Sequence, residues 1–189
     1  MEYEKHFIPL ESDPKIFTSL MHNLGVTKSF KFIDIWSLET EQLDNIRLEI
    51  QSPIEALVLI LPDCPAYAEQ SIGNSPDSFI DGFMKETPGD RAQYLHNSPE
   101  LDTLYRKAAL FGTSEPPAAE SEVDHHYICL VRHSGCLYEL DGDRTGPIYR
   151  GNLEDDEDTL SEKGCDILKM YMNSCPGGCF SLLALINSS

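Results

Sequence analysis

Apolar residues recur along this chain with a helical period in some stretches and as short strand-like runs in others. Between Pro14 and Gly25 they recur every three or four residues, which predicts a helix over 14–24 with a proline in its first turn. The same period, with turn and cap signals, predicts further helical segments over 39–45, 99–111 and 158–172, one that begins at Ser75-Pro76, and a turn or helix over 91–95.

The strand-like runs predict a sheet. The run at 54–61 is continuously apolar and ends at Pro62, which is typical of a strand buried on both faces, so we place it in the middle of the sheet. Other extended segments are predicted at 6–10, 30–36, 126–131, 136–140, 146–149 and 180–186. Helices clustered between strands, with hairpin connections, indicate an α+β or mixed α/β fold. The length of 189 residues favours one domain over 1–189.

A hairpin signal links two of these strands. His126–Val131 and Cys136–Leu140 are joined by the polar turn His133-Ser134-Gly135, and Asp141 follows the second strand. A hairpin brings the start of its first strand beside the end of its second, so His126 and Asp141 are predicted to lie within side-chain reach. A histidine that acts as general base and a carboxylate that orients it are two of the three members of a nucleophilic catalytic triad.

The same residues have other interpretations. A histidine at a strand end can simply be satisfied by a nearby carboxylate. The loop 141–148 imitates the opening of an EF-hand, but its twelfth position is Asn152 instead of a bidentate glutamate, and a strand precedes the loop. Asp124 and His125 could add metal ligands, although no histidine pair at i, i+4 supports a metal site.

Charge narrows the classes of partner. The formal net charge is -18, which argues against nucleic acid and anionic membranes and is compatible with a basic partner or with a plain solvated acidic surface. The first residues carry no leader pattern, and no apolar run approaches the length of a membrane span. We therefore expect a soluble protein of the cytoplasm, with the nucleus as a second compartment.

The cysteines do not form a recognisable framework. Six cysteines in 189 residues are sparse and irregularly placed, so reduced thiols are expected. The tightest group, Cys175-Pro-Gly-Gly-Cys179, has no second pair, which favours a Gly-Gly turn between two thiols over a zinc knuckle.

Several segments resemble the ubiquitin C-terminal hydrolases, a family of papain-like cysteine deubiquitinases. The resemblance runs from near residue 6 to the last strand. Its most specific part is the block Leu137-Tyr138-Glu139-Leu140-Asp141-Gly142. The other segments are Phe7-Ile8-Pro9-Leu10-Glu11-Ser12-Asp13-Pro14, Gln70-Ser71-Ile72-Gly73-Asn74-Ser75, Arg91-Ala92-Gln93-Tyr94-Leu95 and His126-Tyr127-Ile128.

The resemblance implies a central antiparallel sheet flanked by helices and a thiol-dependent hydrolysis of bonds to the C-terminal glycine of ubiquitin. It identifies His126 as the general base and later acid, Asp141 as the orienting carboxylate, and Gln70 as the side-chain donor of the oxyanion hole. It implies ubiquitin or a related modifier as partner, a monomer, and no metal or organic cofactor. A crossover loop is expected within 112–123, and it includes Gly112, Thr113, Pro116 and Pro117.

One departure from the family concerns the nucleophile. Members have a Cys-Gly pair six residues after the glutamine, at the start of a long apolar helix, whereas this chain has Pro76 there. The chain is internally shortened around 67–77, and the nucleophile helix is predicted to be absent. Losing buried apolar side chains costs about 2 to 5 kcal/mol each, so a less stable domain is also expected.

No other residue is a credible nucleophile. Cys64 lies on the wrong side of Gln70, and the hydroxyl of Ser75 is expected to cap a helix. Cys129 and Cys136 lie within strands. The sequence thus predicts a hydrolase by family whose exact chain lacks turnover; the alternatives are a non-catalytic ubiquitin-binding protein and an unrelated metal-binding α+β domain.

Overall fold

A computed structural model of the chain describes residues 7–62, 97–113 and 125–188. The elements, in chain order, are α1 (Pro14–Asn23), β1 (Phe30–Asp34), α2 (Thr40–Ile50), β2 (Ile54–Pro62), α3 (Pro99–Ala109), β3 (His125–His133), β4 (Cys136–Asp141), β5 (Ile148–Asn152), α4 (Glu162–Ser174) and β6 (Ser181–Asn187). The helical segments predicted at Ser75-Pro76 and over 91–95 lie outside the described residues. Within these ranges, no helix is both long enough and apolar enough for a membrane crossing.

The described residues fall into two compact units, of which the smaller contains 7–28 and 97–113. Its helices α1 and α3 start where the sequence predicts, because the side chain of Asp13 accepts a hydrogen bond from Lys15 N and that of Ser98 accepts one from Leu101 N. The two helices share a small apolar core formed by Leu10, Ile16, Leu20, Ala108 and Ala109. One domain over 1–189 stays a prediction.

The larger unit, 29–62 and 125–188, contains a six-stranded sheet. The strand order is β1-β6-β2-β3-β4-β5, and every neighbouring pair is antiparallel. The predicted α+β fold with a central antiparallel sheet is therefore confirmed, and β2 lies inside the sheet as expected. Leu57, Leu59 and Leu61 of β2 are at most 1% exposed. These side chains belong to a core that also contains Leu168 and Tyr171 of α4.

The hairpin between β3 and β4 has the predicted turn. His133 pairs with Cys136, so the connection consists of Ser134 and Gly135 alone. Both residues have positive φ, 50° and 71°, as the tight turns favoured by twisted hairpins require. This turn determines which residues of β3 and β4 lie opposite each other.

The two helix boundaries that differ most from the sequence prediction are the end of α2 and the start of α4. Helix α2 continues beyond Asn45 to Ile50, because Leu43, Ile46 and Ile50 keep the helical period and pack on the core of the larger unit. Helix α4 begins at Glu162 and not at Asp158, because Ser161 is its N-cap and its side chain accepts a hydrogen bond from Gly164 N. The Asp158 carboxylate instead accepts hydrogen bonds from the backbone N–H groups of Ile54, at 3.0 Å, and Leu160, at 2.9 Å.

One expectation about the thiols was wrong. Cys129, Cys136, Cys165 and Cys179 are free, but Cys175 is disulfide-bonded. Cys175 and Cys179 therefore do not form a pair of zinc-binding thiolates, which agrees with the prediction against a zinc knuckle.

The Asp158 carboxylate links the start of β2 to the segment before α4. We expect Asp158→Ala to lower the free energy of unfolding by about 1 to 3 kcal/mol, because it leaves two backbone N–H groups without their acceptor. Urea-induced unfolding followed by circular dichroism measures this change. The control is Asp155→Ala, an exposed acid in the same acidic run, which should change stability by less than about 0.5 kcal/mol. Equal effects of the two substitutions would contradict the assigned role of Asp158.

Candidate active site

The start of β3 and the end of β4 bring His126 and Asp141 together. Ile128 is paired with Asp141 in the β3–β4 ladder, and His126 lies two residues before Ile128, so all three side chains are on one face of the sheet. His126 Nε2 and Asp141 Oδ1 are 2.8 Å apart. The predicted proximity of the two side chains is confirmed, whereas their catalytic roles stay a prediction.

The Asp141 carboxylate is buried and is held by several donors. Its side chain is 0% exposed, against 18% for His126. Besides the imidazole, Oδ1 accepts a hydrogen bond from the backbone N–H of Asp143 at 2.9 Å, and Oδ2 accepts one from Arg144 Nε at 3.2 Å. A carboxylate bonded in this way has little freedom to rotate, so its direction toward His126 is preorganised.

This hydrogen bond determines which nitrogen of His126 can act as a base. An ionised carboxylate only accepts hydrogen bonds, so Nε2 of the neutral ring carries the proton and Nδ1 carries the lone pair. Nδ1 lies 3.6 Å from Asp143 Oδ2, which is beyond hydrogen-bond distance, and the Asp143 side chain is 58% exposed. The geometry suits a general base whose orienting group lies on the opposite edge of the ring.

The free thiols of the described residues have other surroundings. The Cys129 thiol bonds the carbonyl of Leu130, and Cys129 lies three residues after His126 in β3, which puts its side chain on the other face of the sheet. The Cys165 thiol is buried and bonds the carbonyl of Leu160. Cys136 lies at the turn end of the hairpin, far along β4 from Asp141, and Cys179 is exposed between α4 and β6. Within the described ranges, none of these four thiols hydrogen-bonds His126.

The other site residues implied by the family resemblance are distributed differently. Gln70 and Pro76 lie outside the described residues, as do Pro116 and Pro117 and the rejected nucleophiles Cys64 and Ser75. Gly112 and Thr113 are described, and they belong to the smaller unit. There, the Glu11 carboxylate accepts hydrogen bonds from the backbone N–H of Thr113 at 2.8 Å and from its hydroxyl at 2.9 Å.

A metal centre fits these residues less well than a base and its orienter. His126, Asp141 and Asp143 each offer a ligand atom, and these atoms lie within 4.8 Å of one another. However, Asp141 already accepts three hydrogen bonds, one of them from the cationic Arg144, whose charge opposes a bound cation. The EF-hand interpretation also fails, because strands flank the loop where helices are required.

Sequence reasoning missed Arg144 and the backbone N–H of Asp143 as partners of Asp141. Both follow Asp141 within three residues, in the turn after β4. The spacing of a carboxylate followed by a turn is a signal for a local side-chain to backbone bond. It does not indicate that Arg144 folds back onto the same carboxylate.

Known proteins with similar sequence and structure share one family. The ubiquitin carboxyl-terminal hydrolase of Aplysia californica is 26% identical over 218 aligned positions, which cover 93% of this chain and 99% of the relative. The ubiquitin carboxyl-terminal hydrolase isozyme L1 of Homo sapiens is 24% identical, with 96% and 98% covered. In structure, the chain resembles the Trichinella spiralis UCH37 catalytic domain crystallised with ubiquitin vinyl methyl ester, with a TM-score of 0.75, 19% identity and 97% of each chain covered.

The structural likeness concerns the fold alone, whereas the family model supplies the assignment. The model of ubiquitin carboxyl-terminal hydrolase, family 1, matches residues 7–77 and 69–173, so the two matched segments span most of the chain. They include both His126 and Asp141. The chain therefore belongs to family 1 of the ubiquitin carboxyl-terminal hydrolases, which are cysteine-type deubiquitinating hydrolases.

Proposed function

We propose that this protein recognises ubiquitin and that it keeps two members of the family's catalytic machinery, with His126 in the role of general base and Asp141 as its orienting carboxylate. The observation that carries the proposal is the 2.8 Å contact between His126 Nε2 and Asp141 Oδ1 within a chain that matches the family along most of its length. Gln70 is the proposed oxyanion donor, because its side-chain amide is an uncharged N–H donor. Given a thiol, this machinery would hydrolyse bonds to the C-terminal glycine of ubiquitin, which is the family reaction.

In the family reaction the imidazole takes the proton of a thiol, which attacks the carbonyl carbon, and then returns a proton to the leaving group. In this chain Nδ1 of His126 would perform both transfers, because Nε2 is engaged with Asp141. The Asp141 carboxylate would stabilise the imidazolium that forms between the two transfers. Arg144 and the N–H of Asp143 would keep that carboxylate in place.

We further propose that this exact chain lacks the thiol and therefore has negligible turnover. Pro76 stands six residues after Gln70, where the family resemblance implies a cysteine. The family model matches in two segments that overlap at 69–77, and the alignment with the Aplysia californica relative spans 218 positions, more than the 189 residues of this chain. The alignment length supports gaps in this chain relative to that protein, and the overlap of the two matched segments supports a gap near the expected nucleophile.

The thiols of the described residues are poor substitutes. Cysteine chemistry needs a thiolate, and burial raises the pKa of Cys129 to about 12 and also raises the pKa of Cys165, so both stay protonated near neutral pH. Cys175 is disulfide-bonded. A base without a nucleophile can accept a proton, but it cannot form the covalent acyl intermediate.

A non-catalytic ubiquitin-binding protein is the second candidate function. The net charge of -18 favours it, because an acidic surface attracts the basic C-terminal tail of ubiquitin whether or not a bond is cleaved. Two crystal structures that this chain resembles contain ubiquitin vinyl methyl ester.

We expect no covalent adduct when the purified chain is incubated with ubiquitin vinyl methyl ester, because the reagent requires a reactive thiol beside the bound ubiquitin tail. Intact-mass spectrometry measures the adduct. Turnover of a fluorogenic ubiquitin substrate should be lower than that of the human isozyme L1 by up to a millionfold, on the order of the loss when a triad nucleophile is removed. Isozyme L1 is the positive control in both assays.

The outcomes of this experiment separate the proposals. An adduct on any cysteine, located by peptide mass spectrometry, would contradict the proposed lack of turnover. Calorimetric titration with unmodified ubiquitin then tests the partner. Binding without an adduct supports the non-catalytic function, whereas no binding by a chain that unfolds cooperatively would contradict ubiquitin as partner.

We also expect iodoacetamide at pH 8 to alkylate Cys179 at least about tenfold faster than Cys129 or Cys165, because only Cys179 is exposed and burial raises the pKa of the other two thiols. Peptide mass spectrometry over a time course measures the three rates. The control is the same reaction in concentrated urea, where the rates should converge. Fast alkylation of Cys129 in the folded chain would contradict its burial and its raised pKa.

A further inference from the structure

A second buried polar cluster lies on β4, two residues before Asp141. The Glu139 side chain is 0% exposed and is bonded by two partners. Arg150 of β5 approaches Oε2 with Nε at 2.9 Å and with a terminal nitrogen at 2.8 Å, and the Tyr171 hydroxyl of α4 donates to Oε1 at 2.7 Å. Arg150 also donates to the Tyr171 hydroxyl at 3.2 Å. We call Glu139, Arg150 and Tyr171 the buried triad.

Arg150 lies at a β-bulge in β5. Leu137 pairs with Gly151 and Tyr138 with Tyr149, so Arg150 is the extra residue of β5 at this point of the ladder. Gly151 has a φ of +126°, a backbone conformation that other residues rarely adopt. Glu139 is paired with Ile148, so alternation along β5 puts the Arg150 side chain on the same face of the sheet as Glu139.

The triad connects the end of β4 to its neighbours. Glu139 pairs with Ile148 at the last position of the β4–β5 ladder, and α4 is attached at the same residue through Tyr171. Beyond Glu139, β4 continues only to Leu140 and Asp141, which pair with β3. Glu139 is therefore the last point before Asp141 at which, among the described residues, β4 is bonded to β5.

The pairing of β4 with β5 at Glu139 also determines where the two ends of the loop after Asp141 lie. Residues 142–147 connect β4 to β5, and this loop supplies the Asp143 N–H and the Arg144 guanidinium that bond Asp141. Locking β4 to β5 at Glu139 fixes the separation of the two loop ends. Any shift between these strands would move the donors relative to the Asp141 carboxylate.

Stability alone is a weak reason for such a cluster. Removing a carboxylate and a guanidinium from water is costly, and apolar side chains of similar volume often stabilise a core as well as a buried ion pair does. Directional hydrogen bonds differ from apolar contacts because they define one arrangement of the three elements. The burial of Glu139 within a face of leucines and isoleucines is thus better suited to defining position than to adding stability.

We infer that Glu139, Arg150 and Tyr171 are positioning residues that hold Asp141 against His126. The inference rests on the proposed roles of His126 and Asp141 as base and orienter. The triad acts through the backbone of β4 and through the 142–147 loop, and it does not touch the reacting atoms.

The test measures the imidazole of His126 directly and needs no turnover. Nitrogen-15 labelled histidine in the full chain reports by NMR whether the ring proton is on Nε2 and how fast it exchanges with water, and His126→Gln assigns the resonance by its loss. We expect wild type to show the Nε2–H form. Tyr171→Phe, which removes one hydrogen bond from Glu139 without leaving an unpaired charge, should speed exchange by about fivefold, and Glu139→Gln should speed it more.

The control is Leu168→Ala, a fully buried side chain of α4 that belongs to the core but not to the triad. It lowers stability by leaving a cavity, so it shows what general loosening does to the His126 signal. Thermal unfolding measures the loss of stability in each variant, so the change in His126 exchange can be compared with the loss of stability. We expect Leu168→Ala to keep the wild-type tautomer and to change exchange by less than about twofold, since the hydrogen bonds of Glu139 remain intact.

Two results would overturn the inference: an unchanged His126 signal in Tyr171→Phe, or an equal change in Leu168→Ala. Tyr171→Phe decides the matter if Glu139→Gln does not fold. A wild-type His126 without the Nε2–H form would instead contradict the base and orienter pair itself, and the inference with it. The NMR result does not depend on whether the chain binds ubiquitin or forms an adduct with ubiquitin vinyl methyl ester, so the two proposals can fail separately.

Discussion

The register of the β3–β4 pairing is the constraint on which the candidate active site depends. With Ile128 opposite Asp141, the side chains of His126 and Asp141 share one face of the sheet. A slip of one residue would turn every side chain of β4 to the other face, which would separate Asp141 from the imidazole and remove Glu139 from the core. The turn at Ser134 and Gly135 sets this register, because two residues with positive φ close the hairpin at one position only.

Polar side chains can be buried on this face of the sheet because each of them has hydrogen-bond partners. Glu139 and Asp141 both have side chains that are 0% exposed. The Asp141 carboxylate accepts three hydrogen bonds, and the Glu139 carboxylate accepts two and has a second ion-pair contact with Arg150. A buried carboxylate with fewer donors would destabilise the fold. The apolar core and the candidate site therefore share one face of the sheet. The leucines of β2 and β4 exclude water from this face, and the hydrogen bonds of the polar groups fix the orientation of the two carboxylates.

Much of the fold and of the candidate site could be predicted, because the contacts involved join residues that are close in the sequence. Asp13 and Ser98 cap the helices that directly follow them. His126 and Asp141 are fifteen positions apart in the chain, and a single hairpin brings them together. The same locality explains why the contact between His126 and Asp141 could be predicted from the sequence alone. Both residues come from one hairpin, so their contact depends on no distant segment.

By itself, the sequence determined the positions of the described helices and strands to within a few residues, the hairpin turn, and the contact of His126 with Asp141, since periodicity, caps and turn residues act over a few positions. Tertiary structure decided the rest. The Asp158 carboxylate bonds Ile54 N, 104 residues away in the chain. Arg150 of β5 bonds both Glu139 of β4 and Tyr171 of α4, and Cys175 is disulfide-bonded. The bonds of Asp158 and Arg150 join residues of different elements, and such bonds leave no periodic signal in the chain.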